Sequence, residues 1–392
     1  MRVAKKHFAL LLLPLLLLSC ASEKPISQHT TNVVRQLQIQ EYGPHIYFAH
    51  GKVWRYNRNT NELSKACLDP ECKGDCILEG AVTYINQVLD GKLFFSSFTA
   101  FTHNYAYGYQ DLLSGDVTVL KELSATETSG NSVMAVWDGA VYYCRKILRD
   151  GGSKINPDDY ETWICCVSAD GTNEKPMMKL SGDSLMAICD GKFILLKEGK
   201  LVAADISTFE ETELLDFDSN GFTLPGSKIS SINDKIYLLM KSRDSFVSEY
   251  KQVSYAKNYL ISIDLSSLKW EKVVDCPVIT FCLTDDAIYY SPMVQRHLYV
   301  PENYSESPEK VVVFYADESL HRCSLDGTND KIVYTNDMMD FSEEYTVING
   351  ILFGWLFDYD EKAHSFVSGG YFGSIDFSSG TVKRAIGDMN NN

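Results

Sequence analysis

A short turn between two apolar runs recurs along most of the chain, and this repeat constrains the fold more than any other feature. One copy consists of residues 133–137 (VMAVW), the dipeptide Asp138-Gly139 and residues 140–143 (AVYY). Asp-Gly and Asn-Gly between apolar runs are strong hairpin signals, because a type I′ turn needs positive φ at both central residues. The sequence therefore predicts a series of tight β-hairpins.

Seven such turns are spaced evenly. They lie at Gly43-Pro44, Asp90-Gly91, Asp138-Gly139, Asp190-Gly191, Asn233-Asp234, Asp285-Asp286 and Asn349-Gly350. The mean spacing of about 51 residues leaves room for two further strands in each unit. Four antiparallel strands in each of seven units describe a seven-bladed β-propeller, with six or eight blades as alternatives. An all-β solenoid or two sandwiches fits less well, because no Pro/Gly-rich linker separates the copies.

The fold class is thus all-β, and no segment shows helical periodicity with capping residues. The repeats place a single propeller at residues 36–387 and leave residues 388–392 as a C-terminal tail. We expect the ring to close either by packing of the first blade on the last or through a strand near Val33-Val34.

The first twenty residues form a targeting segment. Three cations among the first six residues precede an apolar core at residues 8–18, which is too short to span a bilayer. The core ends in Leu17-Leu18-Ser19-Cys20, which resembles the lipobox of bacterial lipoproteins. The resemblance implies a signal peptide at residues 1–19, acylation of Cys20 and a polar tether over residues 20–35. An ordinary secretory peptide with an incidental cysteine is the alternative.

The charge of the chain bears on its partners. The formal net charge is −16, and cleavage of the signal peptide removes only positive charges. Such a field repels phosphate backbones, so nucleic acid is not an expected partner. Acyl chains on Cys20 give stable membrane attachment. The expected location is the cell membrane, with the lipid-anchored protein facing away from the cytoplasm, at the cell surface or in the periplasm.

The second turn of each unit carries a family resemblance. Units such as residues 320–329 (LHRCSLDGTN) resemble the propeller repeats of low-density-lipoprotein-receptor-like and TolB-like domains. Poorly characterised bacterial surface lipoproteins carry similar domains. The resemblance covers nearly the whole mature chain and depends on turn chemistry and strand spacing. It implies a fold and transfers no catalytic residue.

The longest connections predict a ligand face. They fall between the second and third strands of a blade, at residues 97–104, 146–162, 242–258, 292–309 and 360–365. Such connections emerge on one face of a propeller, and loops of this length are usually functional or disordered. Tyr and Arg give large contact areas with a polar group. The candidate ligand-face residues are Phe101, His103, Tyr105, Arg145, Arg149, Tyr160, Arg243, Tyr250, Tyr255, Arg296, Tyr299 and Tyr304. Alternatively, the aromatic residues pack the loops onto the blades and the cations are simply solvated.

Three cysteines cluster in the segment CLDPECKGDC, at Cys67, Cys72 and Cys76. In an exported chain this arrangement favours a disulfide, from Cys67 or Cys72 to Cys76. A metal site is less favoured, because the spacing departs from zinc-binding CxxC pairs and no histidine lies nearby.

The sequence carries no hydrolase elbow, P-loop or dinucleotide-binding motif, and it implies no cofactor and no metal. We therefore expect a non-catalytic binding or scaffold protein whose partners are envelope proteins or glycans, or a ring that assists envelope assembly. The alternative is a propeller-type carbohydrate-active enzyme, a glycoside hydrolase or lyase, with paired carboxylates at the same face.

Overall fold

The structure is a computed structural model and describes residues 39–50, 52–69, 76, 78, 82–99, 104–123, 127–149, 151–152, 159–181, 184–247, 254–299, 312–316, 319–336, 345–356, 359–360, 365–366 and 370–386. The predicted signal peptide, Cys20, the predicted tether and the predicted C-terminal tail lie outside these residues. None of the described segments forms a helix with the length and apolarity needed to cross a bilayer.

The described chain forms seven antiparallel sheets in sequence order, each with four strands in its main path. Blades 1 to 3 consist of β1 (Gln40–Tyr42), β2 (His45–His50), β3 (Lys52–Asn57), β4 (Leu63–Lys65); β5 (Val82–Leu89), β6 (Lys92–Thr99), β7 (Asn104–Asp111), β8 (Val117–Leu123); β9 (Glu127–Trp137), β10 (Ala140–Leu148), β11 (Tyr160–Ser168) and β12 (Lys175–Leu180).

Blades 4 and 5 consist of β13 (Ser184–Cys189), β14 (Lys192–Lys197), β15 (Lys200–Asp205), β16 (Glu211–Asp216); β17 (Phe222–Ile232), β18 (Lys235–Val247), β19 (Ser254–Asp264) and β20 (Trp270–Lys272). Blades 6 and 7 consist of β21 (Val278–Leu283), β22 (Ala287–Tyr299), β24 (Ser319–Ser324), β25 (Lys331–Thr335); β26 (Tyr345–Ile348), β27 (Ile351–Leu356), β30 (Tyr371–Asp376) and β31 (Thr381–Arg384). Three short strands belong to insertions: β23 (Val312–Ala316), β28 (Tyr359–Asp360) and β29 (Ser365–Phe366).

The first strands of neighbouring blades contact one another, as β5 does with β9 and β9 with β13. These contacts place the first strands around the axis of a seven-bladed β-propeller, so the predicted fold and blade number are confirmed. Apolar clusters fill the junctions between blades, and each draws its side chains from two neighbouring sheets. The core is therefore a ring of interfaces rather than one central mass.

The ring closes through the first and last blades. The Phe48 and Phe372 rings stack with centroids 3.9 Å apart within an aromatic cluster shared by blades 1 and 7. The Leu63 amide donates a hydrogen bond to the Ile386 carbonyl at 2.9 Å, and the Ile386 amide donates to the Asn61 carbonyl at 2.8 Å. Closure by packing is thus observed, and Val33-Val34 lie outside the described residues.

The turns joining the first and second strands have the predicted chemistry. Asp138 and Gly139 both have positive φ, 46° and 72°, and Asp190 and Gly191 repeat this pattern at 46° and 65°. A type I′ turn requires this left-handed conformation at both central positions. Asp-Gly and Asn-Gly at these positions therefore set the register of the hairpins.

The turns joining the third and fourth strands share one hydrogen-bonding device in all seven blades. An Asp or Asn side chain accepts hydrogen bonds from backbone amides two or three residues later, as Asp205 does from Ser207 at 2.8 Å and Thr208 at 2.9 Å. The seven acceptors are Asn57, Asp111, Asp170, Asp205, Asp264, Asp326 and Asp376. Side-chain acceptance of local amides stabilises such turns.

The alternating strand directions divide the propeller into two faces. Connections from the first to the second strand and from the third to the fourth lie on one side, which we call the turn face. Connections from the second to the third strand lie on the other side, which we call the arm face. All long insertions emerge on the arm face, as the sequence predicted, but their prediction as loops is partly wrong. Strands β18 and β22, each 13 residues long, run into the predicted insertions as far as Val247 and Tyr299.

Candidate ligand face

The arm face is uneven because the second strands differ in length. The second strand has 6 residues in blade 4 (β14) but 13 in blade 5 (β18), although both start directly after a tight turn. At about 3.3 Å per residue, the longer strand reaches about 20 Å farther. In blade 4 the two residues Glu198-Gly199 join the second strand to the third. In blades 5 and 6 the strands extend beyond the blade as paired segments, which we call the arms. The described parts of the arms are residues 242–247 and 254–257 in blade 5 and residues 293–299 and 312–316 in blade 6.

Backbone pairing continues into both arms. In blade 5 the pairs Ser245–Ala256, Phe246–Tyr255 and Val247–Ser254 follow an irregularity after Lys241. In blade 6, β22 pairs with β23 through Met293–Ala316, Arg296–Phe314, His297–Val313 and Tyr299–Val312. Pairing satisfies the backbone groups of strands that project beyond the blade. The arms are therefore built β-structure that can present side chains at fixed spacing.

The structure places four of the predicted ligand-face residues on or next to the arms. Tyr255, Arg296 and Tyr299 lie on arm strands opposite Phe246, Phe314 and Val312, respectively. Arg243 is 57% exposed and forms an ion pair with Asp218, and its backbone amide donates to the Gly221 carbonyl at 3.0 Å. Tyr250, like Phe101, His103 and Tyr304, lies outside the described residues.

Blade 3 supplies a second group of predicted residues. Arg149 follows β10 directly, is 53% exposed, and places its Nε 3.5 Å from Oε1 of Glu161. Lys179 contacts the same oxygen through Nζ at 2.7 Å. Tyr160 is the first residue of β11 and is half-buried. It pairs with Leu148 at the loop end of the β10–β11 hairpin. The structure therefore brings Arg149 and Tyr160 together at the arm face.

Arg145 is on the same strand but has a structural role. Its Nη1 lies 3.2 Å from Oε1 of Glu174, and Nζ of Lys121 from blade 2 lies 2.8 Å from Oε2 of that carboxylate. The Tyr143 hydroxyl also donates to Glu174. Burial by itself would raise the pKa of Glu174. Hydrogen bonds from Lys121 and Tyr143 and the positive charges of Lys121 and Arg145 instead hold this pKa below its usual value. Arg145 thus stabilises the junction of blades 2 and 3.

Tyr105 also serves packing. It starts near the arm-face end of β7, pairs with Phe98 and Leu123, and packs against the apolar cluster of blades 2 and 3. For Tyr105 the alternative interpretation, in which aromatic residues pack connections onto the blades, fits the observed contacts.

Sequence reasoning missed a Ser–His–Asp chain in blade 6. The Ser319 Oγ lies 3.1 Å from Nε2 of His321, and Nδ1 of His321 lies 3.2 Å from both carboxylate oxygens of Asp330. The Tyr290 hydroxyl donates to Asp330 at 3.0 Å. Ser319 is only 3% exposed, whereas nucleophilic catalysis requires a hydroxyl that substrate can reach. Ser319 and His321 share a strand face, but only the register of β24 and β25 brings Asp330 to them.

The enzyme alternative requires paired carboxylates at the arm face, one with a raised pKa. Among described carboxyl groups with a shifted pKa, only that of Glu41 is raised, by burial, against the lowering effect of Arg58. Nη2 of Arg58 lies 2.7 Å from Oε1 of Glu41, beside the turns of blade 1 on the turn face. This pair therefore does not supply the acid that the alternative places on the arm face.

The cysteine cluster is only partly visible. Cys67 and Cys76 both pack against the apolar cluster of blades 1 and 2, and Cys72 lies outside the described residues. The disulfide stays a prediction. Among the residues described, no group of three or more His, Cys, Asp or Glu side chains is arranged to hold a metal ion.

Comparison with known proteins shows the fold alone. No protein family and no curated protein matches the chain. An oligogalacturonate lyase from Vibrio parahaemolyticus matches with a TM-score of 0.50 and 11% identity over 87% of this chain and 96% of that chain. A prolyl endopeptidase matches with a TM-score of 0.52 and 10% identity over 91% of this chain and 50% of that chain.

Two further structures belong to the same comparison. The β-propeller domain of the Trilobed protease from Pyrococcus furiosus matches with a TM-score of 0.49 and 10% identity over 92% of this chain and 100% of that chain. The match to puromycin hydrolase covers 89% of this chain but only 53% of that protein. The chain thus spans about half the length of the hydrolase and the endopeptidase.

Proposed function

We propose that the protein is a lipid-anchored, non-catalytic binding or scaffold protein of the cell surface, and that the arm face binds its ligand. One observation carries the proposal: the long insertions all emerge on one face, while the turns of the opposite face stay short in every blade. Connections that carry function are commonly longer and more variable than those that only complete a fold. The ligand is an envelope protein or a glycan.

The form of the arms supports a binding role. Paired strands fix the arm backbone before the ligand arrives, which reduces the entropy lost on binding. Exposed Arg243 and Arg149 lie on this face, and arginine is enriched at the energetically important positions of interfaces.

Membrane attachment rests on the lipobox resemblance at Cys20. In a bacterial host, labelled palmitate should be incorporated into the wild-type chain, whereas a Cys20→Ser variant should remain unlabelled and leave the membrane fraction. Labelling of the variant would contradict acylation at this residue.

The binding role is tested with an arm-trimmed variant, in which residues 242–257 are replaced by Glu-Gly. Lys241 and Asn258 pair directly, as do Lys197 and Lys200 in blade 4, which Glu198-Gly199 joins. The replacement therefore copies a turn that the protein already uses. A turn-face variant, Leu113→Ser, removes a side chain that is 84% exposed and serves as the control.

The soluble fragment from Ser22 and both variants are screened on a glycan array and by pull-down from envelope extract. We expect wild-type and Leu113→Ser to share their hits and the arm-trimmed variant to lose them. A glycan hit specifies carbohydrate recognition, and a protein hit with an empty array specifies a scaffold. Hits that Leu113→Ser loses and the arm-trimmed variant keeps would contradict the assignment to the arm face.

A further inference from the structure

We propose that the loop end of the blade 3 hairpin, beside the connection from β10 to β11, binds the carboxylate of an acidic sugar and that Arg149 is the binding residue. The site consists of Arg149, Glu161, Trp163 and Lys179, and we call it the blade 3 cation site. The proposal rests on the proposed function, because it takes the arm face as the ligand face. It adds the chemical class of one ligand.

The backbone holds Arg149 at a fixed position. The pair Leu148–Tyr160 ends the hairpin ladder, and the Arg149 amide then donates to the Asp159 carbonyl at 2.8 Å. The Gly152 amide donates to the Arg149 carbonyl at 2.9 Å. A Cβ at Gly152 would lie 2.9 Å from Cβ of Asp159, so the turn is tightly packed here. Both backbone groups of Arg149 are therefore bonded, although its side chain is exposed.

Two cations share one carboxylate at this site. Nε of Arg149 and Nζ of Lys179 approach the same Glu161 oxygen, at 3.5 and 2.7 Å. A hydrogen bond and the charge of Lys179 lower the pKa of Glu161, so this carboxylate is ionised at neutral pH. The three side chains carry one net positive charge in a chain of net charge −16. Asp159 in the same turn adds a negative charge, so the attraction of an anionic group rests on the two exposed cations, Arg149 and Lys179.

The guanidinium keeps donors for a ligand. Glu161 engages Arg149 through Nε, and among the described residues no side chain pairs with its terminal amino groups. Arg149 and Lys179 are 53% and 44% exposed, respectively. A planar guanidinium can donate two parallel hydrogen bonds to a carboxylate, which a lysine cannot reproduce. Lys179 donates a hydrogen bond to Glu161, and Arg149 lies within ion-pair distance of the same carboxylate.

An aromatic side chain next to the cations favours a sugar over an acidic peptide. Trp163 is half-buried, pairs with both Arg145 and Lys179 across the sheet, and has the Lys179 ammonium 5.9 Å from its ring centre. Trp163 itself packs against the apolar cluster of blades 2 and 3, which fixes its ring beside the two cations. A hexuronate joins a carboxylate to a ring with apolar C–H faces, so it complements a cation beside an aromatic ring. An acidic peptide offers no apolar ring next to its carboxylate.

The test uses linear oligomers of galacturonate, mannuronate and glucuronate, each matched with its carboxyl-reduced neutral form. They are titrated calorimetrically into the soluble fragment from Ser22. We expect at least one acidic oligomer to bind more tightly than its neutral form. Arg149→Gln should weaken that binding by about tenfold or more, the scale of a charge-assisted bidentate contact, and Arg149→Lys should recover only part of it. Lys331→Gln, which removes an exposed cation at the turn-face end of β25, is the control and should have no effect.

Several outcomes would overturn the proposal. These are equal binding of acidic and neutral oligomers, full binding by Arg149→Gln with an unchanged unfolding midpoint, or preference for a poly-glutamate peptide. If no hexuronate binds but another ligand requires the arms, the blade 3 cation site is wrong and the proposed function stands. Ligand hits that survive both arm trimming and Arg149→Gln instead count against the proposed function.

Discussion

The turn face and the arm face of this propeller are built in opposite ways. On the turn face every blade repeats the same device, an Asp or Asn that accepts hydrogen bonds from the amides of its own turn. On the arm face neighbouring blades differ, since blade 4 ends in a two-residue turn and blade 5 continues into an arm. Yet blades 4 and 5 share one apolar cluster. The repeated face specifies the fold, and the variable face is free to carry a function.

The largest expected effect lies on the turn face, at Gly327. A Cβ at this position would collide with the Val273 carbonyl oxygen, and φ is +81°. Gly171 occupies the same place in the equivalent turn of blade 3 with the same φ, but its nearest neighbour is Leu120 Cδ2 at 3.8 Å. Gly327→Ala should therefore destabilise by about 3 kcal/mol or more, because the backbone must shift, and Gly171→Ala by about 1 kcal/mol, from φ alone.

Urea denaturation of both variants measures this difference through the midpoint. The close approach of blade 5 to the blade 6 turn predicts a clearly larger loss for Gly327→Ala. Equal losses would show that backbone conformation, not contact between blades, sets the cost on this face.

An intermediate effect is expected at low pH. Hydrogen bonds from Ser207 and Thr208 lower the pKa of Asp205 to about 2, and local hydrogen bonds also lower those of Asp111, Asp170, Asp264, Asp326 and Asp376. A carboxyl group whose folded-state pKa is depressed contributes stability above its unfolded pKa near 3.9. That contribution is lost as pH falls through the folded value. Stability should therefore decline between about pH 5 and pH 2.

Asp205→Asn tests this origin, because blade 1 already uses the non-titrating Asn57 at the equivalent position. The variant should keep the turn and lose less stability than the wild type between pH 5 and pH 2. The urea unfolding midpoint at each pH measures this loss. An unchanged pH dependence would show that Asp205 does not contribute to the loss of stability at low pH.

The smallest effect concerns the turns that join the third and fourth strands. Counted from the Asp or Asn acceptor, the fifth residue of these turns has positive φ in five blades. Blades 1, 2 and 7 use Asn61, Gly115 and Gly380, but blades 4 and 5 place Phe209 and Leu268 there, at φ of 60° and 59°. A bulky residue in this conformation costs about 1 kcal/mol. Phe209→Gly and Leu268→Gly should each raise stability by about 0.5–1 kcal/mol.

Leu113→Gly is the control for these two substitutions. Leu113 is an exposed residue of the blade 2 turn and is not among the positive-φ positions, so its replacement by glycine should stabilise nothing. Thermal unfolding of the three variants checks the order. A stabilising Leu113→Gly, or destabilising Phe209→Gly and Leu268→Gly, would contradict the role of φ.

The turns explain why so much of the fold could be predicted. Asp-Gly and Asn-Gly need no distant partner to define a type I′ turn, so the seven hairpins and the face of the insertions follow from local sequence. The fifth turn position was also open to local reasoning, since aligning Phe209 and Leu268 with Gly115 and Gly380 shows where glycine is replaced.

What could not be predicted depends on register between distant strands. Arg145 was predicted at the ligand face, yet its partner Glu174 lies 29 residues later, and Lys121 joins them from another blade. The arms were predicted as loops because their pairing becomes visible only once β18 and β19 are aligned. Side-chain partners across sheets leave no periodic signal in one sequence.

Hydrogen–deuterium exchange of the protein with and without a ligand from the array or pull-down tests the division between the faces most directly. We expect slower exchange in peptides of the arms and of the blade 3 hairpin, with no change in the turns around Asp205 and Asp264. Protection confined to those turns, with the arms unchanged, would contradict it.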